Sequence, residues 1–349
     1  MKKGIFILAL GLLSLLTVEE ACAQDALFSQ FYNSPVYNNP AFTGVHKGRV
    51  RIAANYRDQW STLTNTTFTT TNVNADLRAK VGRGDFFTYG INLLQDQTGT
   101  ANMRLHSAGI NLGYMKQLGG SRSRKQSQFL TGGFSLNFGQ MSVNPNGLWF
   151  SNQYDTNTNS VDNSIASNEQ IEASSALFPD FSAGILYYVV NGDNSFFVGG
   201  AAHHLNRPNI SLFTNSDERR LSRYSAQLGG EVAVSNTISL LPGFILNLQG
   251  ESMQMSTGMN FRYSNRDWRE VAIRMGSYVT FANNLESGIY MPMVNTAFIL
   301  EMETVYFGVS YDISMGQLSV PTDSRGAFEL SVGYIKPANL RNKLRCPKL

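Results

Sequence analysis

Residues 305–334 read VYFGVSYDISMGQLSVPTDSRGAFELSVGY. Val305, Phe307, Val309 and Tyr311 alternate with Tyr306, Gly308, Ser310 and Asp312. After an interruption, Phe328, Leu330, Val332 and Tyr334 alternate with Glu329, Ser331 and Gly333. Side chains on a β-strand point alternately to its two faces, so each run has one apolar face and one small or polar face. The same period recurs upstream: Val50, Ile52, Ala54 and Tyr56 against Arg51, Ala53, Asn55 and Arg57; Ile110, Leu112 and Tyr114 against Asn111, Gly113 and Met115. The runs Phe134–Phe138 and Val271–Met275 repeat it.

A soluble β-sandwich also alternates, with its outward face rich in Lys, Glu and Asp. Here the second face is Gly, Ser, Asn and Ala with an occasional Arg or Glu, as a crowded polar lumen would be. Over the whole 349 residues, charged residues are 15% and aromatics 11%, with 31 Gly; a charged fraction of about 25% is usual for soluble domains. Mean hydropathy is −0.17, and beyond the N-terminal stretch no apolar run reaches the roughly 18 residues that a spanning helix needs. Aromatics at segment ends (Tyr56 and Trp60, Tyr187 and Tyr188, Tyr278, Tyr334) read as interfacial girdles.

About fourteen strands are expected, with boundaries uncertain by a few residues; they include 67–78, 238–253, 256–265 and 269–281. Tight junctions such as Asn191–Asn194 and Ser235–Thr237 alternate with long loops at 141–178, 206–221 and 314–325. The expected fold is therefore all-β: a transmembrane antiparallel barrel of about 14 strands, with short turns and both termini periplasmic.

Lys2 and Lys3, the apolar Ile5–Val18 stretch and Ala21-Cys22-Ala23 make residues 1–23 a secretory signal, leaving Gln24 as the mature N-terminus. Glu19 and Glu20 stand where a lipoprotein signal wants small or apolar residues, which argues against acylation of Cys22. Cys346 is then the one cysteine of the mature chain, so no internal disulfide framework is available. Residues 24–48 form a pre-barrel segment: Phe28, Phe31, Tyr32, Tyr37 and Phe42 need burial, and Pro35 and Pro40 forbid a regular strand, so the segment is expected to pack into or under the mouth as a partial plug. The barrel proper spans 49–336. Residues 337–349 are a basic periplasmic tail with Arg341, Lys343, Arg345 and Lys348 and no acid.

No catalytic, cofactor or metal constellation is expected. Of four histidines, only His203 and His204 are adjacent, and strand neighbours face opposite ways unless the strand ends there. His46 and His106 have no Asp/Ser or Cys partner at an interpretable spacing. Gly82-Arg83-Gly84 and Gly119-Gly120 are turn glycines with no following helix to cradle phosphate. Basic Arg122, Arg124 and Lys125 read as a wet turn. Nucleic acid is not an expected partner; outer-membrane lipid is.

Gln24-Asp25 with Phe28-Ser29-Gln30, Asn39-Pro40-Ala41-Phe42-Thr43-Gly44 and Tyr56-Arg57-Asp58-Gln59-Trp60 resemble the opening of the PorP/SprF family of Bacteroidetes outer-membrane proteins. Tyr311-Asp312-Ile313-Ser314, Phe328-Glu329-Leu330-Ser331 and the closing Cys346-Pro347-Lys348-Leu349 are similar to its end. The middle of the chain matches through its barrel pattern alone. The resemblance implies a non-enzymatic barrel of type IX secretion and gliding motility. Such a barrel would either dock periplasmic ring or lipoprotein components, or secrete or anchor a surface adhesin through its C-terminal domain. It makes Phe28, Gln30, Asn39, Pro40, Arg57, Trp60, Arg341, Lys343, Arg345 and Cys346 the candidate partner-binding residues. The rival is an outer-membrane porin or hydrophobic-substrate transporter, because about fourteen strands leave room for a lumen.

Overall fold

The computed structural model describes residues 24–61, 68–82, 84–120, 126–162, 164–167, 169–213, 216–264, 271–284 and 288–337. Residues 1–23 and the tail from residue 338, with Arg341, Lys343, Arg345 and Cys346, lie outside these. In chain order the strands are β1 Val50–Gln59, β2 Thr69–Val81, β3 Asp85–Thr98, β4 Met103–Gly120 and β5 Gln126–Ser142. A minor pair follows, β6 Tyr154–Asp155 and β7 Ser160–Val161. Next come β8 Phe178–Asn191, β9 Asn194–His203, β10 Arg223–Ala233, β11 Ile238–Gln249 and β12 Ser252–Ser264. The last four are β13 Ala272–Asn284, β14 Gly288–Glu301, β15 Val305–Ser314 and β16 Arg325–Lys336.

All but β6 and β7 join in one closed barrel of fourteen strands, each hydrogen-bonded to its chain neighbour. Closure is made by β1 against β16, antiparallel from Val50↔Lys336 to Gln59↔Ala327. Because the sheet has no edge, every strand's backbone groups find partners within it, which is the condition for crossing lipid.

The alternation has the phase read from the sequence. Ile52, Leu112 and Leu330 are 46%, 44% and 43% exposed on the outside, while their neighbours Arg51, Asn111 and Glu329 are buried inside. Two of the expected girdle residues depart from that reading. Tyr188 and Tyr278 point inward and are buried, whereas Tyr56 and Tyr334 face outward. The cause is phase: Leu186, Tyr188 and Val190 share the inward face of β8, where they join a core cluster with Val36, Ala41, Phe42 and Val45 from outside the sheet.

Strand limits shifted where a turn residue decided them. The break expected between 253 and 256 falls instead at Gly250 and Glu251, a two-residue hairpin closing on the pair Gln249↔Ser252. Gly250 has φ +58, a left-handed conformation that glycine adopts without cost and that a tight hairpin requires.

Junctions after β1, β3, β5, β9, β11, β13 and β15 lie at one mouth, which also carries both long loops, 143–177 and 204–222; call this the loop end. The start of β1, the end of β16 and the remaining junctions lie at the turn end.

Residues 24–48 run through the lumen from one mouth to the other. The segment is a chain of tight turns, Phe31–Asn33, Pro35–Asn38 and Pro40–Phe42. Pro35 and Pro40 each open a turn, where a missing N–H costs nothing. Asp25 contacts Arg220 and Gln249 at the loop end, and Arg49 donates to the Lys336 carbonyl at the turn end. Residues 24 and 337, the described ends, therefore sit at opposite mouths. The expectation that both termini share the periplasmic side is corrected on this point: the segment must traverse the barrel to reach β1.

Candidate functional site

The lumen is the site, because it holds the chain's buried charge and its filling. Toward the loop end, β1, β15 and β16 place Arg57, Asp312 and Glu329 on the inward face at neighbouring positions. Arg57 pairs with Asp312 at 2.7 Å and with Glu329. Glu329 then accepts the Ser29 and Gln30 N–H groups at 2.7 and 2.8 Å, and the Ser29 hydroxyl donates to Asp312 at 2.7 Å. A carboxylate already balanced by Arg57 thus also holds a turn of the segment. Nearer the turn end, β1 and β2 supply Arg51 and Asp76, paired at 2.9 Å, and Asp76 accepts the Gly44 N–H at 2.6 Å. Arg262 and Arg274 meet Glu301 at 2.6 and 2.8 Å.

At the loop end, Asp25 is surrounded by two arginines and a histidine. Arg220 reaches it at 2.6 Å, the His204 ring at 2.7 Å and Arg223 at 3.3 Å. The other His204 nitrogen faces Asp180 at 2.6 Å. Burial pushes the Asp25 carboxyl up, but Arg220, His204 and Arg223 outweigh it and hold the group well below the ordinary aspartate range.

Apolar groups fill between these anchors. Phe31 meets Tyr278 edge to face at 5.2 Å, Phe42 meets Phe197 at 5.3 Å, and Phe28 meets Tyr37 at 5.7 Å. Burying one such side chain contributes about 1.5–3 kcal/mol. Beside the segment remain two small spaces of about 50 Å³ each, an apolar one bounded by Phe31, Leu241 and Tyr278 and a polar one bounded by Asn111, Asn137 and Ser182.

The candidates named from sequence divide accordingly. Phe28, Gln30, Asn39, Pro40 and Arg57 are buried within the lumen and not on an outer surface. Gln30 donates to Ser310 at 2.9 Å, and the Asn39 amide donates to Gln227 and to the Ile185 and Gly200 carbonyls. Pro40 lies against Gly133. What these residues recognise is the protein's own inner wall. Trp60 stands apart at the loop-end rim, in a left-handed conformation (φ 59) with its ring edge-on to Phe68.

His203 and His204 both face inward. The strand ends at His203 and His204 turns at φ 56, which is the exception the alternation rule allows; His203 contacts the Asn38 carbonyl at 3.1 Å. Among the described residues no group of three or more His, Cys, Asp or Glu is arranged to hold a metal. Sequence reading passed over Asp25, Asp180 and Arg220 as a group. A usable signal did exist in the strands, since Arg51, Asp76, Asp312 and Glu329 are charges on membrane-spanning segments, where charge marks a role.

A closed outer-membrane β-barrel whose lumen is occupied by its own N-terminal segment is the class that this fold and site define. Residues 21–334 match the family described as type IX secretion system membrane protein PorP/SprF, and the chain belongs to it. It is thus an outer-membrane component of type IX secretion, and family and fold together point to a non-enzymatic membrane protein. No curated protein matches the chain significantly. Among solved structures it is similar to the P. putida toluene transporter TodX, with 8% identity over 87% of this chain and 94% of that one and a TM-score of 0.48. CdiB from Acinetobacter baumannii is similar at 9% identity over 82% and 60%, TM-score 0.43. The translocator domain of the autotransporter NalP from Neisseria meningitidis follows at 10% over 88% and 95%, TM-score 0.37.

Proposed function

We propose that the protein is a fixed, stoppered barrel that docks the periplasmic secretion machinery at its turn end and engages a secreted adhesin, through that adhesin's C-terminal domain, at its loop end. The observation that carries this reading is the segregation of charge between the mouths. The loop 143–177 holds Asp155, Asp162, Glu169 and Glu172 and no Lys or Arg, and Asp162, Glu169 and Glu172 are exposed. At the turn end Lys47, Arg49, Lys80 and Lys336 are exposed; in the sequence, the stretch between β4 and β5 carries three more basic residues and the chain beyond 337 carries Arg341, Lys343, Arg345 and Lys348. Two mouths of opposite sign suit two different partners, because complementary potential steers each to its own side. With short turns and basic tail in the periplasm, as outer-membrane barrels are generally built, the acidic loop 143–177 faces the outside. An occupied lumen supports docking over the rival reading of an open porin.

The test separates the two ends. Serine at Arg341, Lys343 and Arg345 is expected to abolish co-purification of periplasmic machinery with the barrel. Shortening 143–177 is expected to leave that co-purification intact while the adhesin is lost from the cell surface. If both variants secrete, display and co-purify as the parent does, the assignment fails.

A further inference from the structure

The inner wall holds residues 25–47 by their main chain as well as by their side chains. Beyond the N–H groups taken by Glu329 and Asp76, Asn55 donates to the Asn33 carbonyl, Arg51 to that of Phe42 and Arg78 to that of His46. Ser225 and Gln227 converge on the Asn38 carbonyl. Bonds of this kind are made to any residue at that place in the chain, so much of the wall reads polypeptide as such. Asp25, Ser29, Gln30, Asn33 and Asn39 add side-chain bonds to the wall, which make the fit selective for sequence.

The wall is also built to survive without its occupant. The segment contributes no strand to the barrel, whose sheet closes through β1 and β16. Arg57 with Asp312 and Glu329, Arg51 with Asp76, and Arg262 and Arg274 with Glu301 neutralise one another within the wall. Departure of the segment would expose these paired ions to water, and Arg223, whose acidic partner is Asp25, would be the cation left facing the emptied lumen. Asp25 is the sole acidic residue of 24–48. Its main partner, Arg220, belongs to the loop 204–222 and not to a strand. Anything that draws Arg220 outward therefore cuts the segment's strongest electrostatic tie.

We propose that the inner wall is a polypeptide-binding surface: residues 25–47 are its resident occupant, the Asp25–Arg220 contact at the loop-end mouth is the latch, and the alternative occupant is another polypeptide segment entering from that mouth. Release leaves the segment tethered at β1, at an effective concentration of about 1 mM for a short linker. It returns unless another chain has taken its place. The proposal depends on the lumen alone and not on the docking partners suggested above.

Full-length protein in planar bilayers tests it. Asp25→Asn and Arg220→Gln are expected to raise the fraction of time spent open by at least about tenfold, as loss of a charge-assisted hydrogen-bond pair implies. Asp25→Glu should stay as quiet as the native protein. A synthetic peptide of residues 24–48, added at the loop-end side, should block the variant channels saturably, while a scrambled peptide of the same composition should not. Heat-modifiable migration on gels establishes that each variant is folded, and Arg220→Gln changes only a loop residue. Folded variants as quiet as native would overturn the latch. Open channels indifferent to the 24–48 peptide up to about 1 mM would overturn the polypeptide-binding wall.

Discussion

Arg57 on β1 and Asp312 on β15 meet at 2.7 Å across the strand that lies between them, β16, and Glu329 of that strand, the register partner of Arg57, completes the group. The contact bridges the two ends of the sheet where the barrel closes. All three side chains are buried, so removing the cation strands two carboxylates. Arg57→Ala is expected to cost about 3–5 kcal/mol, the range for breaking a buried pair. Urea unfolding of the reconstituted barrel, read from the folded and unfolded gel bands, measures it. A loss under about 1 kcal/mol would mean that the site is solvated like a surface pair.

Close backbone approach fixes the segment at its middle. A Cβ added at Gly133 of β5 would lie 2.4 Å from the Ala41 nitrogen and the Pro40 carbonyl. These are main-chain atoms of a packed turn, with no flexible side chain to yield. Gly133→Val is therefore expected to push the segment off the wall at a cost of about 1–3 kcal/mol. The barrel ladder, which needs no side chain there, stays intact. Proteolysis within residues 24–48 should accelerate in the variant while the barrel core resists. Unchanged cleavage would show that the segment is not seated against Gly133.

The barrel was legible because lipid imposes one sign on a whole face: Ile52, Leu112 and Leu330 had to be apolar, and period two followed. The lumen's chemistry was legible only in part. Arg57 and Glu329 stand out as charges on the inward phase, but what pairs them is a register between β1 and β16 that links positions 272 apart, which periodicity does not encode. Asp25 and Arg220 are 195 apart and meet only because a loop folds over the mouth. Tyr188 and Tyr278 were misplaced at the membrane boundary for a related reason. An aromatic on the inward phase makes sense only once Val36, Phe31 and Phe42 are inside to pack against it.

Leu112 and Asn111 are neighbours near the middle of β4, one facing lipid and the other buried within. Leu112→Arg is expected to destabilise the folded barrel by about 2–4 kcal/mol, the penalty for arginine near the bilayer midplane. The same substitution at Tyr334, close to the turn-end rim, should cost about 0–1 kcal/mol. Folding titrations into lipid vesicles compare the two. Equal costs would place the hydrocarbon band elsewhere on the barrel.

Acid should loosen the segment from its loop-end tip inward. The folded Asp25 carboxyl titrates well below its ordinary value, so the stabilisation it gives is fully present above the unfolded pKa of about 3.9 and is lost as pH falls through the folded pKa. Hydrogen exchange of residues 25–31, corrected for intrinsic rate, should therefore be flat between about pH 7 and 5 and rise below about pH 4. Asp180 faces the same His204 ring and Arg220, and Glu329 holds Ser29 and Gln30. Asp25→Asn isolates the latch from these neighbours. That variant should exchange faster at neutral pH, with a much smaller further rise in acid. If native protein and variant gain exchange in parallel as pH drops, the loosening originates deeper in the lumen and not at Asp25.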